Sequence, residues 1–453
     1  MTAGGTRAAD PDGSWGTALH HRLRPVRMLR VALVAPQQSL DAVLTEVGAA
    51  GVLELEPVDA PAGRDGGAAE VRDIEVRDIT SMRDGAVLDH GVAAYCGWCP
   101  ASARALLTAR IAPLGGALVP LPVPRGVDPP TLLAPGGALQ RSFAPLVETY
   151  GTVPYADVDP TLIAGIAYIV MFGMMFGDAG HGLLLLAFAA LLRLRPPRRF
   201  ARLRRMWPFA AGAGLASMVF GLLFGEVFGP TGLVAPLWLA PLDEPVRLLG
   251  AGVALGAILL AVAYAVGVVN RWREGSAGFA LYAASGVAGA AVFAGLGGAA
   301  AGVYLGSVAA ASAGAVVAAV GLALAAAGLH AGAGGGGAAM VQTLVQLFDL
   351  VIRLGANLVS FARLAAFGMT HAALGALVWS GTTGLWHRGG TWVVVAAVVF
   401  VAGNAITFGL EALVAGVQAL RLEYYELFTR VFEGTGRAFR PWRGEPGPKE
   451  VSS

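Results

Sequence analysis

The sequence predicts an α-helical polytopic membrane protein of about eight transmembrane helices, the last two long and tilted, with a small N-terminal α/β cytoplasmic lobe. Three observations carry that reading. Hydrophobic residues make up 56% of the 453 positions and charged ones only 14%, with a mean hydropathy of +0.64, whereas a soluble domain carries roughly 25% charge. The apolar residues are also concentrated: residues 1–155 hold a normal mix of charge and Pro, while residues 156–432 are dominated by Ala/Val/Leu/Gly runs. Finally, arginines gather at the ends of those runs, where membrane topology places them.

Residues 1–25 contain scattered Arg, Asp and Gly without a continuous apolar stretch, so they read as a disordered tail rather than a secretory signal. The N-terminal segment is therefore expected in the cytoplasm. From Val26 to Pro57 the order is strand (Arg30-Val-Ala-Leu-Val-Ala), helix from Ser39 and strand (Val52-Leu-Glu-Leu-Glu). Val92 to Pro122 repeats it, with a helix from Pro100 and a strand after Gly115-Gly116. Two such units make an α/β lobe over 26–155. Residues 58–90 between them are Gly-, Asp- and Arg-rich, which suits a loop or a short helical excursion.

The two cysteines form Cys96-Gly97-Trp98-Cys99, read as lying between a strand and a helix. A redox dithiol would sit in such a place; two small buried thiols are the other reading. No second pair exists for a four-thiolate zinc site, and no metal or cofactor is expected. Lys449, the sole lysine, stands in Gly-Pro-Lys-Glu, so a phosphate loop of the Gly-Lys-Ser/Thr type is excluded from this sequence. The net charge of +2 gives no sign of a nucleic-acid partner.

A helix needs ~20 apolar residues to cross the hydrocarbon core. Spans are expected at 160–177, 179–194, 207–228, 247–269, 277–299, 303–329, 345–380 and 391–425; misreading one of the Ala/Gly-rich fifth and sixth would leave six or seven. Arg193, Arg195, Arg198, Arg199, Arg202, Arg204 and Arg205 follow the second span, and Arg430, Arg437, Arg440 and Arg443 follow the last, in a tail set at 433–453. Both groups belong on the cytoplasmic side, which puts both termini in the cytoplasm of a multi-pass plasma-membrane protein. The small residues of the fifth and sixth spans suit close helix packing in lipid.

An ionised side chain at the bilayer centre costs ~2.5–3.5 kcal/mol on insertion scales, so each needs a reason. The seventh span carries Asp349, Arg353, Asn357, Ser360, Arg363 and His371; the eighth carries Asn404, Thr407, Glu411, Gln418 and Arg421. At 100° per residue, Asn404, Glu411 and Gln418 fall within roughly 40° of one another. Along the seventh helix Asp349 lies about 21 Å to one side of Arg363 and His371 about 12 Å to the other. A structural Arg–Glu pair is the simpler explanation of one buried charge. A ladder of carboxylates and imidazole also suits a proton path. Arginine keeps its proton, so at the centre of such a path it would be a fixed charge that separates two half-paths and attracts a carboxylate from a partner.

Asn357-Leu-Val-Ser-Phe-Ala-Arg363-Leu-Ala-Ala-Phe-Gly-Met-Thr-His371-Ala resembles the essential-arginine helix of the membrane subunit of V-type and A-type rotary ATPases, called subunit a or bacterial subunit I. Phe172-Gly-Met-Met-Phe-Gly-Asp178-Ala-Gly-His181-Gly is similar to that family's turn between its first two spans, and Phe220-Gly-Leu-Leu-Phe-Gly-Glu226-Val-Phe-Gly to its third. Glu411, Arg421, Leu-Glu-Tyr-Tyr-Glu and Phe432-Glu-Gly-Thr-Gly are similar to its C-terminal pattern.

The resemblance implies that Arg363 faces a proteolipid ring and its carboxylate. It implies that Glu411, His371 and Arg421 line the half-channel network, with Ser360, Asn404 and Gln418 beside them, and less firmly Asp349. Asp178, His181 and Glu226 match motifs too, with structural roles weighed ahead of functional ones. Implied partners are the ring, peripheral-stalk subunits through 26–155, catalytic ATPase subunits indirectly, and protons or Na⁺. Members of the family usually carry a longer N-terminal region with a coiled-coil arm; here no sustained heptads separate the two α/β units. A stand-alone secondary transporter, or a non-catalytic assembly subunit, would be the alternatives.

Overall fold

The computed structural model describes residues 25–56, 87–124, 126–133, 137–194, 203–274, 277–283, 285–432 and 434–443. The segment 57–86, most of the loop read between the two α/β units, lies outside them, as do Arg195, Arg198, Arg199 and Arg202. The chain divides into two compact units. One comprises residues 1–134, 152–155 and 435–453, the other 135–151 and 156–434.

The first unit is built on an antiparallel sheet. β1 (Met28–Pro36), α1 (Leu40–Ala50), β2 (Glu54–Glu56), β3 (Val87–Asp89), β4 (Val92–Pro100), α2 (Arg104–Ile111) and β5 (Ala117–Pro120) follow in order. The strands pair as β2-β4-β1-β5, and β3 also pairs with β4. Alternation decides the buried face: Val31, Leu33 and Ala35 of β1 with Ala93, Tyr95 and Cys99 of β4 meet Val43, Leu44 and Val47 of α1 and Leu107 and Ile111 of α2. Gly51, in the left-handed region at φ +57°, closes α1 by donating to Val47 O.

The strand β4 runs through Cys96 and Cys99 to Pro100, which corrects the placement of the cysteines between strand and helix. Three residues apart on a strand, they point to opposite faces, and both are free thiols. Burial pushes the Cys99 thiol up to about 11, the reverse of what a redox nucleophile needs. Gly97 between them is where β2 crosses closest: a Cβ there would sit 2.2 Å from Glu54 O.

Residues 435–443 pack on this unit. Trp442 enters its core and its N–H donates to Leu53 O, while Arg437 Nη2 donates to Glu56 Oε1 at 2.8 Å and Arg440 N to Glu54 Oε2 at 2.9 Å.

The second unit is helical: α3 (Ala138–Tyr150), α4 (Thr161–Met175), α5 (Ala179–Leu194), α6 (Trp207–Phe224), α7 (Pro245–Glu274), α8 (Ala277–Tyr282), α9 (Val287–Tyr304), α10 (Val308–Gly332), α11 (Gly337–Ser360), α12 (Ala362–Trp386) and α13 (Trp392–Leu422). The last passes into a π turn, Glu423–Phe428, and ends at Thr429–Val431. Among the described residues six helical stretches are long and apolar enough to cross a membrane: Leu203–Phe224, Pro245–Glu274, Ala280–Tyr304, Val308–Gly332, Gly337–Trp386 and Trp392–Val431. Six such stretches, not the expected eight, are present among the described residues, because α4 and α5 are apolar but only 15 and 16 residues long. At ~1.5 Å per residue they fall short of a ~30 Å hydrocarbon core.

The span expected at 277–299 breaks between α8 and α9, where a Cβ on Gly286 would lie 2.2 Å from Ala280 O. The hairpin of α9 and α10 is closed through glycines. A Cβ on Gly295 would lie 2.3 Å from Ala318 N, and one on Gly314 2.3 Å from Ala299 N. Backbone approach of this kind is how helices bind each other in lipid without large side chains.

Candidate functional site

The charged residues carried by α11–α13 sort into three groups. The first lies where α4, α5, α12 and α13 meet the segment after α6. It begins with Asp178, fully buried, whose Oδ1 accepts from His181 N at 2.8 Å and Phe228 N at 3.0 Å and whose Oδ2 accepts from Gly229 N at 2.8 Å. One carboxylate thereby satisfies an orphan donor at the start of α5 and fixes the 226–229 turn. Phe228 holds the left-handed region there at φ +53° and Gly229 at +89°. Ala179 N donates to Glu226 O at 2.9 Å, so the turn and the helix start hold each other.

Across from this turn, His371 of α12 uses Nδ1 to pair with Glu411 Oε2 of α13. Both are buried. His181 lies edge-on to His371 with ring centroids 5.6 Å apart, enclosed by Phe176, Phe228 and Phe408. Glu226, also buried, faces Asp178, His371 and Glu411. Asn404, two turns before Glu411, is buried and donates to Phe400 O at 2.9 Å. Thus Asp178, His181 and Glu226, read as motif residues with structural roles, share one polar pocket with the His371–Glu411 pair.

The second group surrounds Arg363. The helix ladder is interrupted two residues before it, at Phe361, whose N–H bonds back three residues to Leu358 O (3.2 Å) while Leu364 N bonds to Phe361 O (2.9 Å). Three-residue bonds tighten the helix locally, and the buried Phe361 ring drives into α7 at Gly256, where a Cβ would lie 2.2 Å from Phe361 Cγ. Arg363 follows this break half-buried, and its Nη1 is buried with no hydrogen-bond partner among the described residues. The carboxylate of Glu426 on the π turn faces Ser360, Arg363 and Arg421. Ser360 also donates to Ala356 O at 2.9 Å. Gln418 Oε1 is buried without a partner among the described residues.

Further along α11, Asp349 and Arg353 form an exposed pair at 2.7 Å, with side chains 49% and 68% exposed. Asn357, with its amide oriented to satisfy both groups, donates to Arg353 O and accepts from Arg430 Nη2, each at 3.2 Å. Arg430 in turn lies over the Tyr264 ring at 5.5 Å.

Arg421 is exposed and sits near Glu426 rather than with Glu411 and His371. Ten residues separate it from Glu411, about 15 Å of helix. Sequence reasoning passed over Glu426 and the fully buried Glu423. The α-helical period used to project α13 fails in the π turn that carries both, so no wheel placed Glu426 opposite Arg363. Their presence in the Leu-Glu-Tyr-Tyr-Glu motif was the one signal available.

Residues 95–229 match the V-type ATPase 116kDa subunit family. Among curated proteins, the chain is 29% identical over 373 residues to the A-type ATP synthase subunit I of Aeropyrum pernix, covering 72% of this chain and 52% of that one. It is 28% identical over 344 residues to the A-type ATP synthase subunit I of Thermococcus kodakarensis, covering 72% and 48%. A 101-residue stretch is 42% identical to the V-type ATP synthase subunit I 2 of Treponema pallidum, 22% of each chain. The family resemblance read from the motifs is borne out, and the chain spans about half the length of the curated relatives it matches.

Proposed function

We propose, from its relationship to the A-type and V-type ATP synthase subunit I proteins, that this chain is the stator ion-channel subunit of a rotary ATPase or ATP synthase. It holds two proton half-channels separated by Arg363. The observation that carries the reading is the state of that arginine: half-buried on a helix of membrane-spanning character, with an unsatisfied Nη1 among the described residues. A guanidinium offers donors in a fixed fork suited to a carboxylate, so a carboxylate brought past it by a proteolipid ring is a fitting partner.

Two further features support it. The apolar stretches of the last two helical segments are only 17% and 11% buried within the unit, against 22–33% for the other four, which leaves their faces open to lipid or to a ring. The His371–Glu411 pocket and the Asp349–Arg353 pair lie to opposite sides of Arg363 along α11–α12. In this scheme a proton enters through one group, neutralises a ring carboxylate, and leaves through the other after rotation. Arg363 blocks direct passage because it does not give up its proton. Each charge crossing gains ~2.3 kcal/mol per 100 mV, so several crossings are needed for each ATP formed.

In the same scheme the chain sits in the plasma membrane with both termini cytoplasmic. Its lobe over 26–155 meets peripheral-stalk subunits, and the catalytic subunits are reached indirectly. Arg363→Ala is expected to abolish ATP-driven ion transport in reconstituted vesicles while the complex still assembles. Retained pumping in that variant would overturn the mechanism.

A further inference from the structure

We propose that Asp178, His181 and His371 form a binding site for a divalent transition-metal ion of the zinc class. One carboxylate oxygen of Asp178 and one ring nitrogen of each histidine lie within 4.8 Å of one another, and all three residues are at least 97% buried.

The histidines come from α5 and α12, some 190 positions apart, yet their rings approach edge-on. His181 supplies the independent sign of a ligand. It is 1% exposed, and neither Nδ1 nor Nε2 has a partner at hydrogen-bonding geometry among the described residues, the nearby Asn404 amide facing the ring while donating to Phe400 O. Its Nδ1 stands 3.9 Å from Asp178 Oδ1, too far for a hydrogen bond. Asp178 is fixed by its three backbone donors and retains acceptor capacity, since only one N–H is given to Oδ2.

The surroundings fit a metal in a second respect. A metal-ligating histidine characteristically gives its other ring nitrogen to a carboxylate, which fixes the tautomer and aims the free lone pair. Glu411 stands in that relation to His371 through Nδ1, leaving Nε2 as the ligand nitrogen. Two imidazoles and a carboxylate suit Zn²⁺ and its neighbours, whereas Mg²⁺ and Ca²⁺ take all-oxygen sets. Metal–nitrogen bonds of about 2.0–2.1 Å require the donors to draw together by somewhat more than an ångström, which rotation of the two histidine rings toward the fixed Asp178 can supply.

The consequence rests on the function proposed above: a bound ion would occupy the lone pair of His371 and close the half-channel it lines. Metal binding itself does not depend on that reading.

The test uses the purified full-length chain titrated with Co²⁺, whose ligand-field absorption reports coordination, followed by displacement with Zn²⁺. One Co²⁺ per chain is expected, with binding weakened at least tenfold in His181→Phe and retained when His20 and His21 of the N-terminal tail are both changed to Ala. Because His181→Phe alters a packed site, His181→Cys serves as the second variant: it should bind Co²⁺ with a new sulfur-to-cobalt charge-transfer band. No saturable band in the unaltered chain, a band that disappears only with the tail variant, or no charge-transfer band in a monodisperse His181→Cys protein would each overturn the site. In the assembled complex, Zn²⁺ should inhibit ion transport and His181→Phe should blunt that inhibition. If Co²⁺ binds as expected while Arg363→Ala still pumps, the metal site stands and the stator reading falls.

Discussion

Two ionisable side-chain pairs lie along the last two membrane-spanning segments, and they could hardly differ more. Asp349–Arg353 is a within-helix pair at spacing i,i+4, exposed on both sides; pairs of that kind add only a few tenths of a kcal/mol in water. His371–Glu411 joins two helices, is buried on both sides, and is ringed by Asp178, His181 and Glu226. Sequence alone presents both as charges in apolar helices, at nearly equal insertion cost. What separates them is whether the partner sits on the same helix, where pairing is local, or on another, where pairing reports the fold.

The largest expected effect tests that difference directly. Glu411→Gln should lower coupled transport by about 10²-fold or more, the range for losing a positioned proton-transfer group, measured as dye-reported acidification of proteoliposomes. Asp349→Asn should cost far less, and the comparison collapses if the two rank the other way.

Next in size is Gly256→Leu, which forces a side chain against Phe361 at the helix break. Overpacking of this sort costs about 1–3 kcal/mol, and because Arg363 stands two residues beyond Phe361, transport should fall while the chain still inserts. A melting curve in detergent and a transport assay on one preparation read both; undiminished transport would mean that the break does not position the arginine.

A third variant concerns Asp157, buried just before α4 and outside the spans. Burial first, and then the neighbouring Glu274, push its carboxyl up from an ordinary 3.8 to about 8. For an acid whose folded value is raised, the favourable contribution is complete below about pH 3.8, declines as pH rises, and is gone above about pH 8. Asp157→Asn should therefore flatten the pH dependence of thermal stability and raise stability at pH 9 by about 1–3 kcal/mol. An unchanged slope between pH 4 and 8 would assign the proton to another group.

The smallest effect belongs to the exposed pair. Arg353→Ala should shift stability by no more than about 0.5 kcal/mol in chemical denaturation, and a larger loss would mean that this face is covered in the assembled protein.

Much of this was legible in the sequence, and the illegible part has a pattern. Strand alternation in 28–36 and 92–100, helical runs at 40–50 and 104–111, and the polar stripe of Asn404 and Glu411 are all local periodicities, and each appears in the structure. The gathering of Asp178, His181 and Glu226 with His371 is set by packing between residues nearly 200 positions apart, which no window of sequence contains. Arg421 was grouped with Glu411 by the resemblance alone; the helix runs unbroken between them, and the ten intervening residues set them about 15 Å apart. The cysteine motif was misplaced because the helix was read from Pro100, whereas β4 runs through both cysteines to Pro100 and the helix starts at Arg104.

The π turn at Glu423–Phe428 has a consequence for how this chain tolerates change. A π turn already holds one residue more than an α turn, so the slack of this turn is used. A further residue inserted there would rotate everything C-terminal by about 100° relative to its neighbours. Hydropathy would be almost untouched, yet Phe428 and Phe432 would leave their stack on Tyr150. In this segment chain length is itself a constraint, and a one-residue insertion is a heavier lesion than most substitutions.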